Sequence, residues 1–138
     1  MQSNERPAET MTATIRVAVC DDARAVKFFL RQVLEEEGDI EVVSATSTGE
    51  EALVQLADCR ADLLLLDLVL PDVPEPAALV ARIRACTPGT AIVLISNLPA
   101  FSLQKEAERL GTDGWVPKAA KPAQLRETVR DAMGPAAG

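Results

Sequence analysis

Leu63-Leu64-Leu65-Leu66-Asp67-Leu68-Val69-Leu70-Pro71-Asp72 decides the fold of this chain. Four consecutive leucines leave no polar face, as in a strand buried on both sides of a parallel sheet. The run stops at a carboxylate. Pro71, Pro74 and Pro76 then impose a loop, because each fixes φ and removes a backbone donor. Pro76 suits the first position of a helix, with Leu79, Val80 and Ile83 facing inward at helical spacing. The segment therefore reads as strand, loop, helix.

The same unit recurs outward in both directions. Upstream, Ile15–Cys20 is a first strand and Ala23–Glu37 an amphipathic helix carrying Val26, Phe29, Leu30, Val33 and Leu34 on one stripe. Gly38-Asp39 ends it. Ile40–Thr46, rich in β-branched residues, is a second strand. Thr48 and Glu51 form a capping box ahead of a helix with Ala52, Leu53, Leu56 and Ala57 inward. Downstream, Thr87-Pro88-Gly89 separates the third helix from a fourth strand, Ala91–Ile95, which ends at Ser96. A helix over 100–110 carries Leu103, Ala107 and Leu110 and stops at Gly111. Gly114–Pro117 is a short fifth strand ending at Lys118. Pro122 opens a last helix with Leu125, Val129, Ala132 and Met133 on one face. Five βα units in strict alternation define an α/β domain: a five-stranded parallel sheet with helices on both faces. Residues 1–13 read as a flexible N-terminal tail, 14–133 as the domain and 134–138 as a C-terminal tail, with no output module expected.

Composition narrows the chemistry. The 138 residues are 48% hydrophobic and carry a formal net charge of −7. That charge disfavours direct binding to nucleic acid, which needs clustered cations. It suits a bound cation or a basic partner surface. There is no histidine, so histidine acid–base catalysis and histidine metal ligation are excluded. Cys20, Cys59 and Cys86 match no zinc or redox spacing and read as small buried hydrophobes in a reducing cytosol. No stretch approaches a membrane span, and Met1–Met11 has no signal-like apolar core.

Ligands of open α/β sheets bind beyond the carboxyl ends of the strands. The residues there are Asp21 and Asp22 after the first strand, Asp67 after the third, Ser96 after the fourth and Lys118 after the fifth. Taken singly, each has a plain explanation: Asp22 a helix cap, Asp67 and Ser96 turn residues, Lys118 a solvated charge. Their joint arrival at one rim is not explained that way. Three carboxylates need a cation, and hard oxygen donors select magnesium or manganese. A nucleophilic carboxylate, a divalent metal, an ammonium and a hydroxyl together suit phosphoryl transfer. Asp67, on the central strand, is the nucleophile.

The segments Val17–Asp22, Leu64–Asp72, Val93–Ser96 and Gly111–Lys118 resemble the receiver domains of two-component response regulators, in order, spacing and residue type, over roughly residues 14–133. The resemblance implies a flavodoxin-like (βα)5 fold and a stand-alone, magnesium-dependent switch. Asp67 would take a phosphoryl group from a histidine kinase or phosphotransfer protein. Asp22, Asp67 and the backbone carbonyl of Val69 would ligate the metal, and Asp21 would hold it through water. Lys118 and Ser96 would contact the phosphoryl oxygens. Ser96 and Trp115 would then shift and reshape the face made by the fourth helix, fifth strand and fifth helix for a downstream protein partner, or the group would pass along a relay. The protein would be cytoplasmic and would catalyse only its own phosphotransfer and dephosphorylation.

Three departures from the family pattern, and one reading of the residues beyond it, carry expectations. Asn97 replaces a small residue and narrows access to Asp67 or bonds across the site. The 72–76 loop lacks the usual glycine and is expected to be stiffer. Ala119 follows Lys118 where proline is usual, so Lys121, next to Pro122, is a rival for the active lysine; Lys118 is preferred because it directly follows the strand and Pro122 suits the first helical turn, and the isomer of the Lys118–Ala119 bond is open. Val69 and Leu98 flank the path of a hydrolytic water and cannot orient it, so self-dephosphorylation is expected to be slow. Phe28 and Phe101 lie off their helices' stripes, as partner-surface residues or as partly buried ones. The alternative function is a degenerate receiver acting as a phosphorylation-independent adapter. A haloacid-dehalogenase-type phosphatase would want an acid/base aspartate at position 69, and a flavodoxin would want a hydroxyl-rich loop in place of Asp21-Asp22.

Overall fold

The computed structural model describes residues 14–134; the 1–13 tail and residues 135–138 lie outside them. The five strands are β1 (Ile15–Cys20), β2 (Ile40–Thr46), β3 (Leu63–Asp67), β4 (Ala91–Ser96) and β5 (Gly114–Pro117). The helices are α1 (Arg24–Glu35), α2 (Gly49–Asp58), α3 (Pro76–Cys86), α4 (Ala100–Leu110) and α5 (Pro122–Ala132). All pairings are parallel, in the order β2-β1-β3-β4-β5. β3 is therefore central, flanked by β1 and β4, and every one of its residues is buried.

Alternation along the strands splits the core in two. Leu64 and Leu66 join Ala18, Ile92 and Leu94 beneath α2, α3 and α4. Leu63 and Leu65 join Val17, Val19, Val93 and Ile95 beneath α1 and α5. Chain reversal after α4 uses Gly111 at φ +68°, the left-handed conformation that glycine adopts without a Cβ penalty.

Several details differ from the sequence expectations. α1 ends at Glu35 rather than Glu37, because Gly38 turns the chain at φ +85° and donates to the Glu35 carbonyl at 3.2 Å. Phe29, assigned to the inward stripe, is 42% exposed, since the stripe centres on Leu30, Val33 and Leu34. Ala57 is exposed, and Leu53, Leu110, Ala132 and Met133 are only partly buried. Of the cysteines only Cys20 is a core residue; Cys59 is half-buried and Cys86, the last residue of α3, is exposed. Thr48 does cap α2, accepting from the Glu51 N–H at 3.1 Å, but the Glu51 carboxylate reaches back to the Ser47 N–H instead of that of Thr48. Asp22 does not cap α1: the capping position is Ala23, with no side-chain bond. No peptide bond among the described residues is cis, so Lys118–Ala119 is trans.

Candidate functional site

The carboxyl end of β3 delivers Asp67 between the ends of β1 and β4. Each of three strand ends closes its own loop in the same way. Ala23 N–H donates to Asp21 Oδ1 at 2.8 Å, Val69 N–H to Asp67 Oδ1 at 3.1 Å, and Leu98 N–H to Ser96 Oγ at 3.0 Å. These are side-chain turns two residues long. The plain turn roles of Asp67 and Ser96 are thus real and coexist with their convergence. Backbone bonds hold the ends in register: Leu68 N–H to Ile95 carbonyl at 3.0 Å, and Lys118 N–H to Ser96 carbonyl at 2.9 Å.

Lys118, on the loop leaving β5, reaches across β4. Its Nζ lies 2.8 Å from Asp21 Oδ2 and 3.2 Å from Asp67 Oδ2. Lys121, the rival lysine, stands at the capping position of α5, exposed. Asp21 is fully buried, Asp67 4% exposed and Ser96 3% exposed. Asp22 is exposed at the rim and completes a set of three carboxylates whose donor oxygens all lie within 4.8 Å of one another. Asp22, Asp67, Val69, Ser96, Asn97, Leu98, Pro99 and Lys118 line one open cleft. Trp115 is half-buried, packed against the core on the α2–α3–α4 face.

Electrostatics at the rim are frustrated. Burial, then the charge of Asp21, pushes the Asp67 carboxyl above the usual carboxylate range, although the Val69 N–H and Lys118 oppose this. Burial alone would lower Lys118, but the Asp21 carboxylate beside it and the charge of Asp67 reverse that and raise it. One ammonium serves two buried carboxylates. Asp21 Oδ2, despite its nearness to Lys118, has no aligned hydrogen-bond donor. Its compensation is the Lys118 charge, which it shares with Asp67. A hard divalent cation among Asp21, Asp22 and Asp67 fits that donor set.

Sequence reasoning missed Asp72. Its carboxylate accepts from the N–H groups of Gly49 and Glu50, at 2.9 and 3.2 Å, tying the loop after Asp67 to the start of α2. Those bonds, the one from Gly49 first, hold its pKa below the usual carboxylate range. An acceptor spaced from Asp67 like a turn residue carries no sequence signal for so distant a partner. Cys20, next to Asp21, donates its thiol to the Thr48 carbonyl at 3.3 Å, and burial pushes that thiol up to about 11, so it is no nucleophile.

A strand-end acidic cluster with a bridging lysine on this topology defines the receiver class. The family model of the response regulator receiver domain matches residues 17–130, and the chain belongs to that family. It is 24% identical over 118 residues to the chemotaxis protein CheY of Halobacterium salinarum, covering 86% of this chain and 96% of that one. It is 31% identical over 126 residues to a protein-glutamate methylesterase/protein-glutamine glutaminase of a Nocardioides species, covering 88% of this chain but 34% of that one. The signal receiver domain of the response regulator NarL from Mycobacterium tuberculosis superposes with a TM-score of 0.78 at 25% identity, over 88% of this chain and 97% of that one. No helix among the described residues is long and apolar enough to cross a membrane.

Proposed function

We propose that this chain is a phosphoacceptor switch in which Asp67 accepts a phosphoryl group from a phosphohistidine on a histidine kinase or phosphotransfer protein. The observation that carries the reading is the Lys118 ammonium held 2.8 and 3.2 Å from two buried carboxylates of different strands, with Asp22 completing the acidic set. In the transfer, an Asp67 oxygen attacks phosphorus, the N–P bond breaks and the imidazole keeps its electron pair. Lys118 neutralises the equatorial oxygens. Ser96, buried beside the cleft, exchanges its bond from the Leu98 N–H for a bond it donates to the phosphoryl group. Asp22, Asp67 and the Val69 carbonyl would hold magnesium or manganese, with Asp21 acting through water. The metal, when bound, supplies charge neutralisation for the incoming group. In this reading the chain acts in the cytoplasm, catalyses nothing but its own phosphotransfer and dephosphorylation, and signals by partner binding or onward transfer. The shift of Ser96 and Trp115 toward the site reshapes the face of α4, β5 and α5.

The lifetime of the phosphoryl group follows from what lines the cleft. Val69 is 70% exposed and Leu98 37% exposed at its mouth, and neither side chain offers a hydrogen bond to an attacking water. Asn97, exposed beside them, narrows the approach. Purified protein treated with a small phosphodonor and Mg²⁺ is expected to gain one phosphoryl group by mass spectrometry and to hold it for many minutes. Asp67→Asn should gain none. Partner sets in pull-downs that are identical for wild type and Asp67→Asn, with and without donor, would instead support the adapter reading.

A further inference from the structure

We infer that Asp72 is a positioning residue: it fastens the loop that follows Asp67 to the amino end of α2, and so sets divalent-cation affinity at the acidic cluster. The inference rests on the metal-binding part of the proposed function. The segment from Leu68 to Val73 contains no glycine and is stapled at every alternate position. Leu68 and Leu70 are 8% and 5% exposed and anchor it in the core. Val73 N–H closes a turn onto the Leu70 carbonyl at 3.2 Å. Asp72 then accepts two bonds from α2, at 2.9 and 3.2 Å. Gly49 packs closely at this junction: a Cβ there would lie 2.7 Å from Val73 Cγ2, so the valine would have to shift.

The other side of the same helix end is tied to β1. The Cys20 thiol donates to the Thr48 carbonyl at 3.3 Å, and the Asp21 N–H to the Thr46 carbonyl at 3.0 Å. Thr48 and Gly49 therefore bridge the two segments whose carboxylates must share a cation. Asp72 is the only polar side-chain tie from the Asp67 loop to this bridge among the described residues. The loop's effect reaches Asp67 through the Val69 N–H, which donates to Oδ1 at 3.1 Å. Removing Asp72 leaves the loop held by its apolar anchors alone, which fix its depth but not the direction of the Val69 N–H, so that carboxylate is no longer held in one orientation.

The test is a calorimetric titration of the metal-free protein with Mg²⁺. Asp72→Ala is expected to weaken binding about tenfold, the lower end of what loss of an outer-shell partner costs. Asp72→Asn keeps one acceptor oxygen and should fall between that variant and wild type; it also decides the question if Asp72→Ala does not fold. Asp39→Asn breaks the pair with Arg130 at the opposite end of the sheet, away from the loop and from α2, and should bind Mg²⁺ like wild type. Unchanged affinity in folded Asp72→Ala and Asp72→Asn would overturn the inference and leave the proposed function intact. Equal weakening by Asp39→Asn would also overturn it, since the effect would then be general loss of stability. Failure of wild type to bind Mg²⁺ would overturn the metal reading and this inference together.

Discussion

Asp67 carries a stability cost in the metal-free protein. Its carboxyl is raised in the folded state, chiefly by burial, so the fold favours its protonated form. For a raised carboxyl the penalty is present at neutral pH and is relieved as pH falls through the folded-state value. Asp67→Asn is therefore expected to raise the unfolding temperature of chelator-treated protein at pH 7, with the gain shrinking on acidification. A lower unfolding temperature would contradict the frustration described above. Val69→Asn places a water-orienting amide at an exposed position without disturbing the core, so it should shorten the phosphorylated lifetime several-fold while leaving the unfolding temperature within a degree or two. Rates of dephosphorylation after donor removal measure this.

At the scale of the element, helix ends decide how the loops lie. Of the five N-cap residues only Thr48 makes a side-chain cap hydrogen bond, and its replacement by alanine should cost about 1 kcal/mol in a denaturant titration. Gly111 sits at φ +68° with open space where a Cβ would go, so Gly111→Ala meets backbone strain alone, about 1–2 kcal/mol. The capping pattern was legible in the sequence because Thr48 and Glu51 stand three apart, and Gly111 because a glycine follows the last apolar residue of its helix. The shift of the reciprocal bond from Thr48 to Ser47 was not, because it depends on the path of the chain out of β2. Likewise Phe29 matched the helical stripe by spacing, yet the boundary of that stripe is set by how α1 leans on α5.

At the scale of the molecule, α1 and α5 are fastened at their carboxyl ends by charges far apart in sequence. Arg130 pairs with Asp39 at 2.8 Å and Glu37 at 2.7 Å, while the buried Arg126 donates to the Val33 carbonyl at 3.1 Å and pairs with Glu36 at 3.3 Å. The bond from Arg130 holds Asp39 below its ordinary 3.8. A lowered carboxyl contributes stability that is present above the unfolded-state value and is lost as pH falls through the folded one. Asp39→Asn should thus be less stable than wild type at pH 7, by a modest amount given the partial exposure of the pair, and the two should converge in acid. Leu65, fully buried on the face shared by α1 and α5, is expected to cost about 2–5 kcal/mol as Leu65→Ala.

The order of elements, the central position of β3 and the five strand-end residues Asp21, Asp22, Asp67, Ser96 and Lys118 were readable from the chain alone, because burial on both faces leaves a run of leucines and because a parallel sheet sends every strand's carboxyl end to one edge. Short-range turn chemistry was readable for the same reason: it spans two or three residues. Tertiary structure alone decided the rest. It set the reach of Lys118, already preferred to Lys121 for directly following the strand, to 2.8 Å from Asp21 and 3.2 Å from Asp67. It made Asp72 an anchor of α2 and Arg126 a buried clasp, since each finds its partner across a gap in sequence that no local pattern encodes. It also fixed how far Asp67 is removed from water, and that burial is what raises its carboxyl.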